Sequence, residues 1–167
     1  MNGSKESGTT SDERVWAGCG SRASQSEPGR NYATVIEPNK ILNIGCWNVQ
    51  TLLECESSEC PKRRTSLVSN ELRRHDLDIV ALSETRLAGD GHLAESCGKY
   101  AFFWKGRKEE FRGGAGLAFT VKFTLVDKLK EFPVGINECL MSMRIPLAKG
   151  NYEILVSVYA PTMDIIR

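Results

Sequence analysis

No run of 18 apolar residues occurs in the 167-residue chain, so nothing in it reads as a membrane-spanning helix. The first residues, MNGSKESGTTSDERVWAGCGS, lack the apolar core of a secretory signal. The expected compartment is therefore intracellular, and the six cysteines read as thiols rather than a disulfide framework. None of them forms a C-x-x-C pair. Cys55 and Cys60 are the closest couple, and they lack the second pair that a zinc site needs. The net charge is only +1, which excludes the global basic field of a dedicated nucleic-acid binder. Both histidines, His75 at the end of a basic segment and His92 in a glycine-containing loop, read as solvated surface residues. FRGGAGLAF lacks a G-K-[ST] ending and a following helix, so it is no phosphate loop, and glycines entering a crowded strand explain it better. No internal repeat is visible.

What is present divides at Pro38. Residues 1–39 are rich in Ser, Gly and Thr without a helical or strand period, and are read as a disordered leader. From residue 40 to residue 167 the texture is that of one globular domain. Segment 41–47 reads as a strand. Pro61 is placed to start a helix over roughly 62–75, with Leu67, Val68 and Leu72 on one side and arginines on the others. IVAL (79–82), YAFFW (100–104) and GGAGLAFTV (113–121) read as strands. FTLVDKLKEFP fits either a short helix or an extended connection. ECLMSMRIPL and YEILVSVYA form a hairpin around Ala148-Lys149-Gly150. The fold class is α/β, a mixed sheet with helices on one face.

Three apolar stretches each end in a polar group: ILNIGCWN at Asn48, DIVALSE at Glu84 and EILVSVY at Tyr159. Alternation along a strand groups Leu42, Ile44 and Cys46 with Asn48, Val80 and Leu82 with Glu84, and Leu155 and Ser157 with Tyr159. Ligands of open α/β sheets bind at the carboxyl ends of strands. A carboxylate there suits Mg²⁺, an amide orients a phosphate or a carboxylate, and a phenol donates to a phosphate oxygen. Taken singly, each has a blander reading: a salt-bridged Glu, a turn-forming Asn, a core-edge Tyr. Trp47 reads as a packing residue that anchors the strand end in the core. Lys62-Arg63-Arg64, Arg73-Arg74, Lys105, Arg107 and Lys108 could follow a nucleic-acid backbone locally, or form an ordinary solvated face.

NIGCWNVQTL, DIVALSETR and VSVYAP, in this order, resemble the first half of the endonuclease/exonuclease/phosphatase family. Within the family the wording is most similar to LINE-type retrotransposon endonucleases and a domesticated relative of them. The resemblance implies the first half of a four-layer α/β sandwich, truncated, and Mg²⁺-dependent phosphodiester cleavage of endonuclease type. It makes Asn48, Glu84 and Tyr159 catalytic, with Glu84 and Asn48 at the metal, and puts Arg86 where a basic residue helps hold the glutamate. DNA is the implied partner of a complete domain, and no membrane is.

The sequence departs from the family's pattern after VYAPTM. The G-D-F-N segment that activates water and the S-D-H segment that supplies a histidine are absent before Arg167. This predicts a domain whose second half, and with it the hydrolytic base, is missing, a loss of about 10²–10⁴-fold in rate. The other reading is a catalytically inactive, retroelement-derived remnant or interaction module. The family's two sheets pack face to face, and the second is expected largely from the missing half. That would leave some of Leu42, Ile44, Cys46, Val80, Leu82 and Leu155 uncovered, which favours a partner or self-association through the exposed sheet face.

Overall fold

The computed structural model describes residues 36, 40–54, 63–108 and 116–160, all within one compact unit, Ala33–Arg167. The expected leader apart from Ile36, together with Cys55, Cys60, Pro61, Lys62 and the first glycines of FRGGAG, lies outside the described residues; Ile36 is buried and its N–H donates to Pro146 O at 3.3 Å.

Two sheets form. The first has five strands in the order β1-β2-β5-β4-β3: β1 (Ile44–Asn48), β2 (Ile79–Ser83), β3 (Asp90–Glu95), β4 (Tyr100–Gly106) and β5 (Gly116–Lys122). β1 runs parallel to β2, and every other pairing is antiparallel. The parallel pair requires a crossover, and α1 (Arg64–Arg74) supplies it. The second sheet is antiparallel, in the order β6-β7-β8: β6 (Val134–Asn137), β7 (Leu140–Pro146) and β8 (Tyr152–Val158). A single turn of helix, α2 (Phe123–Val126), leaves β5 toward the second sheet. The β7–β8 hairpin turns at Ala148–Gly150, where Lys149 and Gly150 both have positive φ.

Alternation decides what each strand face covers. Val80, Leu82, Tyr100, Phe102 and Ala118 pack in one cluster with Val68 and Leu72 of α1 and with Leu52. Ile79, Phe103, Phe119 and Val121 take the opposite parity and are buried, as are Met141, Met143 and Ile145 of β7. β4 meets β6 and β5 meets β7. The first sheet is thus covered by a helix on one face and by a sheet on the other. No helix among the described residues is long and apolar enough to cross a membrane.

Several expectations need correction. A second sheet already forms within the described residues, with three strands. DGHLAE is a strand, so His92 lies in β3 and not in a loop, and VGIN forms β6. Leu67 faces solvent, because Val68 and Leu72 point the α1 stripe inward. Val80 and Leu82 face α1, away from Asn48, because β1 and β2 pair Asn48 with Ser83 and Trp47 with Leu82. Of the apolar row expected beneath the site, Val80 and Leu82 are fully buried under α1, while Ile44 and Cys46 are exposed. Trp47 does not anchor the core: it is 42% exposed, beside a hollow of about 280 Å³ that Leu72 and Val80 also line.

Candidate active site

The site forms where three chain segments end. β1 stops at Asn48, whose side-chain Oδ1 accepts from the Gln50 backbone N–H at 3.0 Å. That short turn suits an Asn and holds Gln50 at a φ of 60°. The following segment is zipped to the one after β2. Val49 N–H donates to Ser83 O at 3.1 Å, and Leu52 N–H to Thr85 O at 2.8 Å. Leu52 is buried at this point, so the two site loops share one apolar pin.

Glu84 follows β2 at a φ of 55°, and Arg86 has 57°. Positive φ is costly for such residues and is sustained only where surroundings enforce it. Two glycines do so here. A Cβ on Gly106 would stand 1.7 Å from Leu87 O, and one on Gly116 would stand 2.7 Å from Thr85 Oγ1. Thr85 N–H donates to Gly116 O at 3.1 Å, which lays the SETR segment flat on the ends of β4 and β5. Thr85 is fully buried, and its hydroxyl has no partner among the described residues.

Tyr159 arrives from the other sheet. Leu155 and Ser157 lie opposite Met143 and Met141, so their face of β8 looks toward the first sheet, and Tyr159 continues that parity. Its backbone N–H donates to Cys139 O at 2.9 Å. Its hydroxyl donates to Glu84 Oε1 at 2.9 Å, and Asn48 Nδ2 donates to the same oxygen at 2.7 Å. Amide, carboxylate and phenol therefore meet at one atom, although they come from positions 36 and 75 residues away from the glutamate.

These contacts set the electrostatics. The Asn48 amide first, and then the Tyr159 hydroxyl, hold the Glu84 carboxyl below the usual carboxylate range, with a smaller contribution from the charge of Arg86. The same bond, seen from the phenol, pushes Tyr159 above its ordinary value. Glu84 is thus an anion at neutral pH, and Tyr159 a neutral donor. No cluster of three His, Cys, Asp or Glu side chains occurs among the described residues. A cation at this rim would rest on one carboxylate from the described chain, with water and substrate oxygens completing its shell, a set that fits Mg²⁺.

A sequence profile of the Endonuclease/Exonuclease/phosphatase family matches residues 45–164. The chain belongs to that family. No curated protein matches it. Membership makes it, at the coarse level, a hydrolase of the nuclease and phosphatase type, in a family that generally uses divalent metal.

Within this family member three of the basic residues singled out above are engaged in ion pairs. Lys105 pairs with Asp90, Arg107 with Glu138 at 3.4 Å, and Arg74 with Glu71 at 2.9 Å. The sequence offered no signal for Gln50, Thr85 or Gly106 as shapers of the site. Their role lies in backbone conformation and close approach, which appear only once β1, β2 and β4 are side by side.

Proposed function

We propose that the chain is the nucleic-acid-cleaving, endonuclease-type phosphodiesterase domain of a retroelement lineage, using Mg²⁺ at Glu84. The observation that carries this reading is the convergence of Asn48 and Tyr159 on Glu84 Oε1. Both bonds fall on one oxygen, so Oε2 is the atom a cation would take. The cation, when bound, supplies Lewis-acid polarisation of a phosphoryl group. Asn48 fixes the carboxylate with one N–H and has a second N–H for a phosphate oxygen. It is the second residue proposed at the metal, where its Oδ1 has a lone pair beyond the one taken by Gln50. Tyr159 locks the carboxylate rotamer from the opposite sheet, and its hydroxyl lies at the rim where a phosphate would approach. DNA is the proposed substrate.

A plasmid-nicking assay tests this. Slow nicking in Mg²⁺ that is abolished by chelation and by Glu84→Gln is the expected outcome. No nicking at any Mg²⁺ concentration overturns the enzymatic reading. A second reading, a non-catalytic retroelement-derived interaction module, is favoured by the single carboxylate donor at the site.

A further inference from the structure

Glu84 heads a segment, Glu84–Asp90, that leaves β2 and crosses the end of the first sheet to begin β3. β5 and β4 lie between those two strands, so the crossing spans three strand spacings, about 14 Å. Along it Glu84, Arg86 and Gly89 all have positive φ, and only the glycine takes that conformation without cost. Such a path persists only where its surroundings hold it.

Main-chain bonds hold the two ends. Leu52 N–H donates to Thr85 O at 2.8 Å, and Thr85 N–H to Gly116 O at 3.1 Å. At the far end Gly89 N–H donates to Arg107 O, and Gly106 N–H to Gly89 O, both at 2.8 Å. Between them, the backbone of Arg86, Leu87 and Ala88 makes no such bond among the described residues. A side chain holds this middle: Trp104 Nε1–H donates to Ala88 O at 3.2 Å. Alternation along β4 puts Trp104 on the face of Tyr100 and Phe102, and its ring packs against their cluster, as Leu87 does from the segment itself. Trp104 stands opposite Gly91 of β3, where a Cβ would collide with the indole. The glycine leaves the ring room to reach Ala88.

We propose that Trp104 is a positioning residue for Glu84, its indole N–H keeping the crossing segment on the path that brings the carboxylate to both Asn48 and Tyr159. Neither donor can follow a carboxylate that moves. Asn48 is tied by its Oδ1 to Gln50 N–H, and Tyr159 by its own N–H to Cys139 O. Without the indole donor, the Ala88 carbonyl turns to water and Arg86 is free to leave its positive φ, two residues from Glu84. The effect on catalysis rests on the hydrolase reading; the effect on geometry does not.

Trp104→Phe tests this, because it keeps an aromatic ring on the cluster and removes the donor. Leu93→Ala is the control for lost packing, since Leu93 meets the same cluster from β3. The readout is the side-chain amide of Asn48 in the folded, ¹⁵N-labelled chain, which is bonded to Glu84 Oε1. Its resonances should move toward those of an asparagine in an unfolded chain in Trp104→Phe, and stay in place in Leu93→Ala. The kcat for nicking, per folded molecule, should fall at least tenfold in Trp104→Phe with KM unchanged. An Asn48 amide that is unmoved in folded Trp104→Phe, or moved equally by Leu93→Ala, overturns the proposal. Should Trp104→Phe fail to fold, hydrogen exchange of the unsubstituted chain decides. The Trp104 indole N–H should exchange at least tenfold more slowly than that of Trp47, which is 42% exposed, and equal rates overturn the proposal. A chain that never nicks overturns the hydrolase reading alone, and the Asn48 amide still decides this one.

Discussion

The two sheets of this molecule hold the same kinds of side chain under opposite conditions. The five-stranded sheet is covered on both faces, and Leu82, Phe102, Leu117 and Val121 have essentially no exposed surface. By the described residues, the three-stranded sheet is covered on one face only. Met141, Met143 and Ile145 are as buried as anything in the first sheet, yet Ile154, Val156 and Val158, one residue out of phase on the neighbouring strand, are more than half exposed. Apolar composition alone does not mark a core. Coverage does, and in this fold coverage is decided by parity within a strand.

The contrast is broken most forcefully by truncating one side chain on each sheet. Phe102→Ala should cost about 3–5 kcal/mol in a denaturant melt, since it opens a cavity between α1 and the sheet. Val156→Ala should change monomer stability by less than about 0.5 kcal/mol. Comparable losses for the two would mean that the outer face of the three-stranded sheet is buried in solution.

Next in size is Gly106→Ala. The added methyl meets the Leu87 carbonyl, a backbone atom that cannot rotate away. A cost of about 1–3 kcal/mol is expected. The displacement of Leu87 reaches Glu84 through Thr85 and Arg86, so loss of nicking should exceed that expected from the fall in folded fraction. The same substitution at Gly150, where a Cβ meets nothing within 4 Å, disturbs no neighbour and is strained only by its φ of 79°. It serves as a control remote from Glu84 in the chain.

A smaller effect of opposite sign is expected at Thr120. Its hydroxyl is fully buried with no hydrogen-bond partner among the described residues. Thr120→Val keeps the shape and removes an unsatisfied polar group, which should stabilise the chain by about 1 kcal/mol in the same melt. Destabilisation would mean that the hydroxyl does have a partner.

The sequence disclosed the centres of the fold and concealed its margins. IVAL, YAFFW and the β7–β8 hairpin were readable because a strand buried on one or both faces must be apolar at those positions, and nothing else competes for the pattern. DGHLAE and VGIN were not, because edge strands with glycine and charge take their structure from a neighbour's hydrogen bonds and not from their own burial. The three polar ends, Asn48, Glu84 and Tyr159, were legible as a group. The reasoning from alternation that put Val80 and Leu82 beside them was not sound. Glu84 leaves the strand at a positive φ, so the parity of β2 does not extend to it. Trp47 misled for a related reason: it lies on an edge strand at the border of the α1 layer, where the residue remains 42% exposed.

The finest test concerns the site that joins the two sheets. The Glu84 carboxyl is lowered in the folded chain by its two donors, so it keeps its charge as pH falls through the range where an ordinary glutamate protonates. Its preference for the folded arrangement is present above the unfolded value and is lost only as pH falls through the lower, folded one. Removing a donor must therefore raise the folded value. The Asn48 amide is the larger cause and Tyr159 the second, so Asn48→Ala should move the titration of the Glu84 carboxyl carbon, followed by NMR, further upward than Tyr159→Phe does. Because this readout needs no turnover, it separates the geometry from the chemistry. An unshifted titration in Tyr159→Phe would mean that the phenol from β8 does not reach the carboxylate in solution, and that the bridge between the sheets at Glu84 is not made.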